Sequence, residues 1–426
     1  MHPHTTAPPA ASIRAIPSGA IVALVVGSVW RWGVLIVDKW NQPLLLNDSF
    51  YYSAQARQLA DGTFFREIFV DQPGAEHGPL TSVLMAPVSW ISDPVPWQRM
   101  VTIVCGMATI VLIAALAGRL AGQRAAVWGA WIAALYPNLW MNDGLVMSES
   151  VSVLLVTSVL LAVHRRLHSA STFSSVMIGV LAGLATLARS ELVLLAAGVV
   201  AMVAIVDRRH DPSWRTWILR PALVAGAALL TVAPWVAFNL VRFERPVTLT
   251  TNDGTTLLGS YCDRTFSGPE RGGWSVFCVT DDDPAYSMDE EPSVRSARQR
   301  SMAFTYARHH ARDVPAVVAA RLGRTLDVYG LGSLVAQDVG EERYRWASRA
   351  GIVSWWVFAG AALVGIRHVR RWERWVLALP VAAVLVTTVV FYGGHRIRSS
   401  MEPTVVVLAA VAAVTTLDRW RMRERI

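Results

Sequence analysis

Ten stretches of mostly apolar residues recur along the chain, at about 19–37, 99–117, 125–141, 149–164, 173–188, 191–206, 221–241, 350–366, 374–392 and 402–417. Each approaches the roughly 20 residues that a helix needs to cross a bilayer, although several are short or interrupted by Gly and Pro. Lipid offers the backbone no hydrogen-bonding partner, so such runs are satisfied as helices. The pattern predicts an all-α polytopic membrane protein with about ten transmembrane helices. Two polar intervals are long, 38–98 and 242–349. The expected organisation is a disordered tail at 1–18, a transmembrane core at 19–241 that includes the loop 38–98, and a small cap domain of mixed structure at 242–349. C-terminal transmembrane helices at 350–417 and a basic tail at 418–426 complete it.

Composition agrees with the pattern. Of 426 residues 53% are hydrophobic and 18 are Trp, with a mean hydropathy of +0.38, which is too apolar for a soluble chain of this length. The net charge of +8 comes almost wholly from Arg, Lys39 being the only lysine. Arg119, Arg124, Arg165, Arg166, Arg208, Arg209, Arg215, Arg220, Arg367, Arg370, Arg371 and Arg374 all fall in alternate intervals, and Arg419, Arg421, Arg423 and Arg425 follow the last apolar stretch. The positive-inside rule makes these cytoplasmic, and both termini with them, in a multi-pass protein of the plasma membrane. The first span has no convincing small-residue cleavage site and reads as a retained anchor. The charge therefore needs no nucleic-acid partner. No P-loop, dinucleotide fingerprint or repeat of 20–50 residues is present.

The intervals 38–98, 142–148, 189–190, 242–349 and 393–401 then face outward, and the ionisable residues of unusual placement gather there. "NDSFYY" carries Asp48 and Tyr52, "AEHGPL" carries Glu76 and His77, "NDGLVMSES" carries Asp143 and Glu149, and "YGGHRIRSSMEP" carries His395, Arg396, Arg398 and Glu402. Such groups at one membrane face are costly unless they handle a polar substrate. Asp48 precedes an apparent amphipathic helix in which Tyr52, Ala56 and Leu59 recur at helical spacing, so this helix is expected on the membrane surface, with Asp48 as either its N-cap or a chemical group. Arg189, in "ARSE", is either an interfacial anchor or an anion ligand. His77 has no companion histidine at metal-ligating spacing. Cys262 and Cys278 share one outer interval, which makes a disulfide the expected state, with two unpaired thiols as the other reading. Asp143 sits in a turn-forming "NDG".

The order of these motifs resembles the GT-C glycosyltransferases, and more narrowly the protein O-mannosyltransferase and aminoarabinose transferase superfamily. The likeness covers about the first 200 residues and the last 40, in "NDSFYY", "EHGPL", "ALYPNLWMNDGLVMSES", "GLATLARSE" and "YGGHRIRSSMEP". The resemblance implies an inverting enzyme that moves a sugar, mannose or a pentose such as arabinofuranose, from a polyprenyl-phosphate donor to an extracytoplasmic glycan, lipid or protein. It implies that Asp48 is the catalytic base, assisted by Glu76 or Glu149, because the family's paired acids read "ND" here. Arg189, Arg396 and Arg398, with Tyr52, would hold the donor phosphate, and His77 and Asp143 would support the acceptor. No organic cofactor is implied; metal-free chemistry is favoured, with a divalent cation held by Asp48, Glu76 and Glu149 as the alternative. A transporter or flippase of lipid-linked sugars is the competing reading, which needs no catalytic base.

Overall fold

The computed structural model describes residues 16–45, 47–210 and 213–423. Residues 1–15 of the expected tail 1–18, residues 424–426 of the tail 418–426 with Arg425, and the side chains of Arg215, Arg419, Arg421 and Arg423 lie outside the described residues. The apolar stretches are helices. They are α1 (Ser18–Val34, continued by a π-turn to Lys39), α3 (Val95–Leu135), α4 (Glu149–His168), α5 (Thr172–Ala188), α6 (Val193–His210), α7 (Trp214–Leu240), α11 (Arg345–Gly365), α12 (Arg371–Val390) and α13 (Glu402–Arg423). The polar intervals add α2 (Asp48–Ala60), α8 (Pro292–His309), α9 (Val314–Thr325) and α10 (Leu331–Gly340).

Eight spans among the described residues are long and apolar enough to cross a membrane, whereas ten were expected. The difference is one of division. The 41 residues of α3 break at Ala121 and Gly122, where φ is −141° and +82°, and the second half folds back on the first. A Cβ built on Gly129 would stand 3.1 Å from Ala117 Cβ, so the two halves pack as a hairpin. Helix α5 has 17 residues and supplies the remaining apolar crossing.

Small residues set how closely the helices approach. Gly179 and Gly183 of α5 face α7, and a Cβ at Gly179 would lie 2.3 Å from the Val224 carbonyl oxygen. Such contacts replace the hydrophobic drive that lipid does not supply. Helix α13 is central, with 78% of its apolar window buried, while only 17% of the α7 window is buried, which puts α7 on the rim.

The two ends of the bundle differ chemically. At one end Arg124 pairs with Asp418 at 2.6 Å and Arg166 with Asp207 at 2.6 Å. At the other end meet the intervals 38–98, 142–148, 189–190, 242–349 and 393–401. There Arg99 pairs with Glu342 at 2.8 Å, both fully buried, and Lys39 donates to the Glu342 carbonyl at 2.7 Å.

Two local expectations change. The segment 242–349 holds helices and turns and no strand among the described residues, so the mixed structure expected there is helical. Its Cys262 and Cys278 are joined in a disulfide. Helix α2 is not a surface-lying amphipath: it buries Ser49, Ser53 and Gln55 as well as Tyr52 and Ala56, against the Leu80–Met85 helix and the start of α3. Gln55 donates to the Arg66 carbonyl at 2.6 Å, while Ser49 Oγ and Gln55 Oε1 are buried without a hydrogen-bond partner among the described residues.

Candidate active site

The N-cap of α2 is Asn47, whose side chain accepts from the Ser49 amide at 2.9 Å. Asp48 is thereby free of the capping role and turns its carboxylate toward the last interval. Arg396 Nη2 stands 2.6 Å from Asp48 Oδ2, while Arg396 Nε donates to Glu149 Oε1 at 2.7 Å. The same Glu149 oxygen accepts from Arg189 at 3.0 Å and has Arg343 at 4.0 Å. Arg396 also reaches Glu341 at 3.5 Å, and Arg343 pairs with Glu341 and, at 3.5 Å, with Asp338. Three guanidinium groups and four carboxylates thus converge from five separate parts of the chain.

His77 joins from the 38–98 loop. Its Nε2 lies 3.5 Å from Asp48 Oδ2, and its ring stacks on Tyr52 at 4.9 Å between centroids. The turn that delivers it requires Gly78, where a Cβ would lie 2.3 Å from the Leu187 carbonyl oxygen. Glu76 sits beside it, its amide donating to the Tyr51 hydroxyl at 2.9 Å, and its carboxylate has no ion-pair partner among the described residues.

Burial alone would raise the Asp48 carboxyl, but the Arg396 guanidinium and His77 outweigh it and hold the group well below the usual carboxylate range. Burial pushes Glu76 up; His77 opposes this and Asp48 adds to it. Burial would lower His77, yet Asp48 and Glu76 raise it. One carboxylate is therefore held ionised beside one whose proton affinity is raised, a division that suits general acid–base work.

Three predicted residues are not in this cluster. Arg398 is fully buried, bonded to Asp327 at 2.5 Å, Glu402 at 2.8 Å and the Thr325 carbonyl at 3.1 Å, with Trp355 stacked on it. It fastens α13 to the segment after α9 and does not face the Asp48 cluster. Asp143 pairs with Arg31 of α1 at 2.6 Å, and the cavity beside it encloses about 10 Å³, the limit for one water. Tyr52 is buried behind His77. Conversely Glu341, Arg343 and Asp338 were missed. "QDVGEERYR" packs five charges just before an apolar stretch, the same signal that marked the other intervals. His395 bridges Asp327 and Asp338 at 2.7 Å each and so ties this stretch to the cluster.

Asp48 Oδ2 and Glu149 Oε1 are both engaged by Arg396, whose guanidinium takes the position a cation would take. Asp48, Glu76 and Glu149 do not form a converging oxygen set among the described residues.

Residues 76–238, less than half of the chain, match the family model described as dolichyl-phosphate-mannose-protein mannosyltransferase. Among solved structures, the archaeal oligosaccharyltransferase AglB from Archaeoglobus fulgidus, in complex with an inhibitory peptide and a dolichol-phosphate, superposes with a TM-score of 0.56 at 14% identity over 96% of this chain and 51% of AglB. The chain has a GT-C glycosyltransferase fold. ArnT from Cupriavidus metallidurans bound to undecaprenyl phosphate matches at a TM-score of 0.45 and 16% identity, over 93% of this chain and 78% of ArnT. The chain spans about half the length of AglB. No curated protein sequence matches significantly.

Proposed function

We propose that the protein is an integral-membrane inverting glycosyltransferase that takes a sugar from a polyprenyl-phosphate donor and passes it to a hydroxyl-bearing glycan, lipid or protein outside the cytoplasm. The observation that carries this reading is the position of Arg396, which joins Asp48 and Glu149 at 2.6 and 2.7 Å with Arg189 on the same glutamate. Guanidinium forks match phosphate oxygens, and a carboxylate held beside them is a base within reach of the bond to be broken. The dolichol-phosphate in the AglB complex and the undecaprenyl phosphate in the ArnT complex agree with a lipid-phosphate donor. The family description names mannose, and a hexose or pentose fits the same chemistry.

In this reading the donor phosphate competes with Asp48 for Arg396. As the contact loosens, Asp48 regains proton affinity and takes the proton of the acceptor hydroxyl. The acceptor oxygen attacks the anomeric carbon, the carbon–oxygen bond to phosphate breaks, and the electron pair leaves on the phosphate, where Arg396 and Arg189 stabilise it. Glu149 and Glu341 position the arginines, while His77 orients Asp48 and Glu76 contacts the acceptor.

The test uses purified protein in liposomes with decaprenyl-phosphate mannose and decaprenyl-phosphate arabinofuranose as donors and an envelope extract as acceptor. Acceptor-dependent release of decaprenyl phosphate is expected from one donor. Movement of the intact donor across the bilayer without cleavage would instead favour the flippase reading. Sidedness rests on the arginine distribution: in intact cells, a cysteine at exposed Ser267 should react with an impermeant maleimide and one at exposed Ser213 should not. Labelling at Ser213 alone would reverse the orientation.

A further inference from the structure

Far from the Asp48 cluster, at the other end of α4, three side chains aim at one point. His164 and His168 lie four residues apart on α4, which puts them on one helix face a turn apart. Glu373 reaches them from the first turn of α12. His164 Nδ1 is 3.6 Å and His168 Nε2 is 3.8 Å from Glu373 Oε1, and all three ligand atoms lie within 4.8 Å of one another. These separations are too long for hydrogen bonds. They are near the edges of a coordination polyhedron: ligands 2.0–2.1 Å from a tetrahedral metal stand roughly 3.3 Å apart, so small side-chain rotations close the set.

The opposite atom of two of these groups is fixed by backbone. His168 Nδ1 contacts the His164 carbonyl at 3.0 Å, which makes that nitrogen the donor and leaves the Nε2 lone pair free for a metal. Glu373 Oε2 accepts from the Arg370 amide at 3.2 Å and leaves Oε1 toward the histidines. His164 and Glu373 are buried, whereas His168 is about half exposed and offers the entry path.

We propose that His164, His168 and Glu373 form a binding site for a divalent transition metal, with zinc as the ion it takes. Imidazole donors bind borderline metals through strong directional bonds, which selects zinc over magnesium or calcium. The bound ion would join the end of α4 to the start of α12. The other end of α4 carries Glu149, roughly 30 Å away at 1.5 Å per residue, and α12 leads into the interval that carries Arg396.

The test uses untagged full-length protein, purified without reductant so that Cys262 and Cys278 remain joined. The protein is stripped with a chelator and titrated with zinc alone. The wild type should retain one more equivalent than His168→Ala, with at least tenfold tighter binding at that site and a zinc-dependent rise in melting temperature that the variant lacks. Equal melting of both proteins without zinc checks that the variant folds. Cobalt added to the stripped wild type gives a second readout that needs no variant, because a low-symmetry four- or five-coordinate site shows visible absorption bands. Equal zinc content in wild type and His168→Ala, or the absence of cobalt bands from the wild type, overturns the site.

Discussion

Replacing Asp48 by Asn, and separately Asn47 by Ala, divides chemistry from architecture at two adjacent residues. The Asn47 side chain caps α2 through the Ser49 amide at 2.9 Å, so Asn47→Ala removes one cap and costs about 1 kcal/mol. Asp48→Asn keeps the shape of the side chain. It removes one of the three carboxylates around Arg396, which retains Glu149 at 2.7 Å. The Asp48 side chain is 26% exposed and its pair is screened by solvent, so the stability loss is about 1 kcal/mol. The two variants should melt alike. Their turnover should not match, since loss of a general base lowers rate by about 10²–10⁴-fold, equivalent to about 3–5 kcal/mol of barrier. The assay measures sugar transfer from the decaprenyl-phosphate donor in liposomes, with binding of undecaprenyl phosphate and melting temperature measured on the same preparations. The expected result is near-normal transfer by Asn47→Ala, and by Asp48→Asn a folded, lipid-binding protein with almost no transfer. Asp48→Asn within threefold of wild type would refute the reasoning and move the base to Glu76.

Three further outcomes follow from single contacts. Cys262→Ser and Cys278→Ser should each lower stability by about 3 kcal/mol, the cost of opening a closed loop of this length, read as a fall in melting temperature that the double variant does not deepen. Asp143→Ala leaves Arg31 buried with only carbonyl partners, and a loss of about 3–5 kcal/mol in chemical unfolding is expected, against little for substitution of exposed Asp71. Glu67 is pushed from its ordinary 4.5 to about 7 by burial and by Glu76, so its neutral form favours the fold below about pH 4.5 and that contribution is lost as pH rises through 7. Glu67→Gln should therefore raise the melting temperature at pH 8 and change it little at pH 5.

The helices were legible because apolar runs near 20 residues have one satisfactory conformation in lipid. Ten stretches were expected and eight spans qualify among the described residues, because the turn in α3 joins two stretches, marked by Arg119 and Arg124, and α5 is shorter than a full span. The charged intervals were legible as a group, and Asp48, Glu76, His77, Glu149, Arg189 and Arg396 do meet. What the sequence could not show was partner choice. Arg396 and Arg398 are two residues apart on one short helix, which sends their side chains in different directions, one to Asp48 and the other to Asp327. Nor could it show that Asp143 serves Arg31, because a contact spanning 112 residues leaves no local trace. Glu341 and Arg343 carry the same charged signal, but they lie in 242–349, which reads as a cap domain and not as part of a site. The polar face of α2 was misjudged for the opposite reason: Ser49, Ser53 and Gln55 look like solvent-facing positions, yet the fold buries all three and gives Gln55 the Arg66 carbonyl as a partner.

The wide scatter of the charged partners along the chain bears on how the molecule comes to exist. Ribosomes deliver Asp48, Glu149, Asp327 and Asp338 before Arg396 and Arg398, and His395 arrives with them. Until that late stretch is inserted, Asp48 and Asp327 wait without Arg396 and Arg398, while Glu149 and Asp338 have only Arg189 and Arg343. Completion of the last helix is then the event that converts a loosely gathered set of spans into a committed structure. A nascent chain halted before residue 395 would lack both the central α13 and the cations that pair with Asp48 and Asp327, the kind of half-finished product that membrane quality control is equipped to remove.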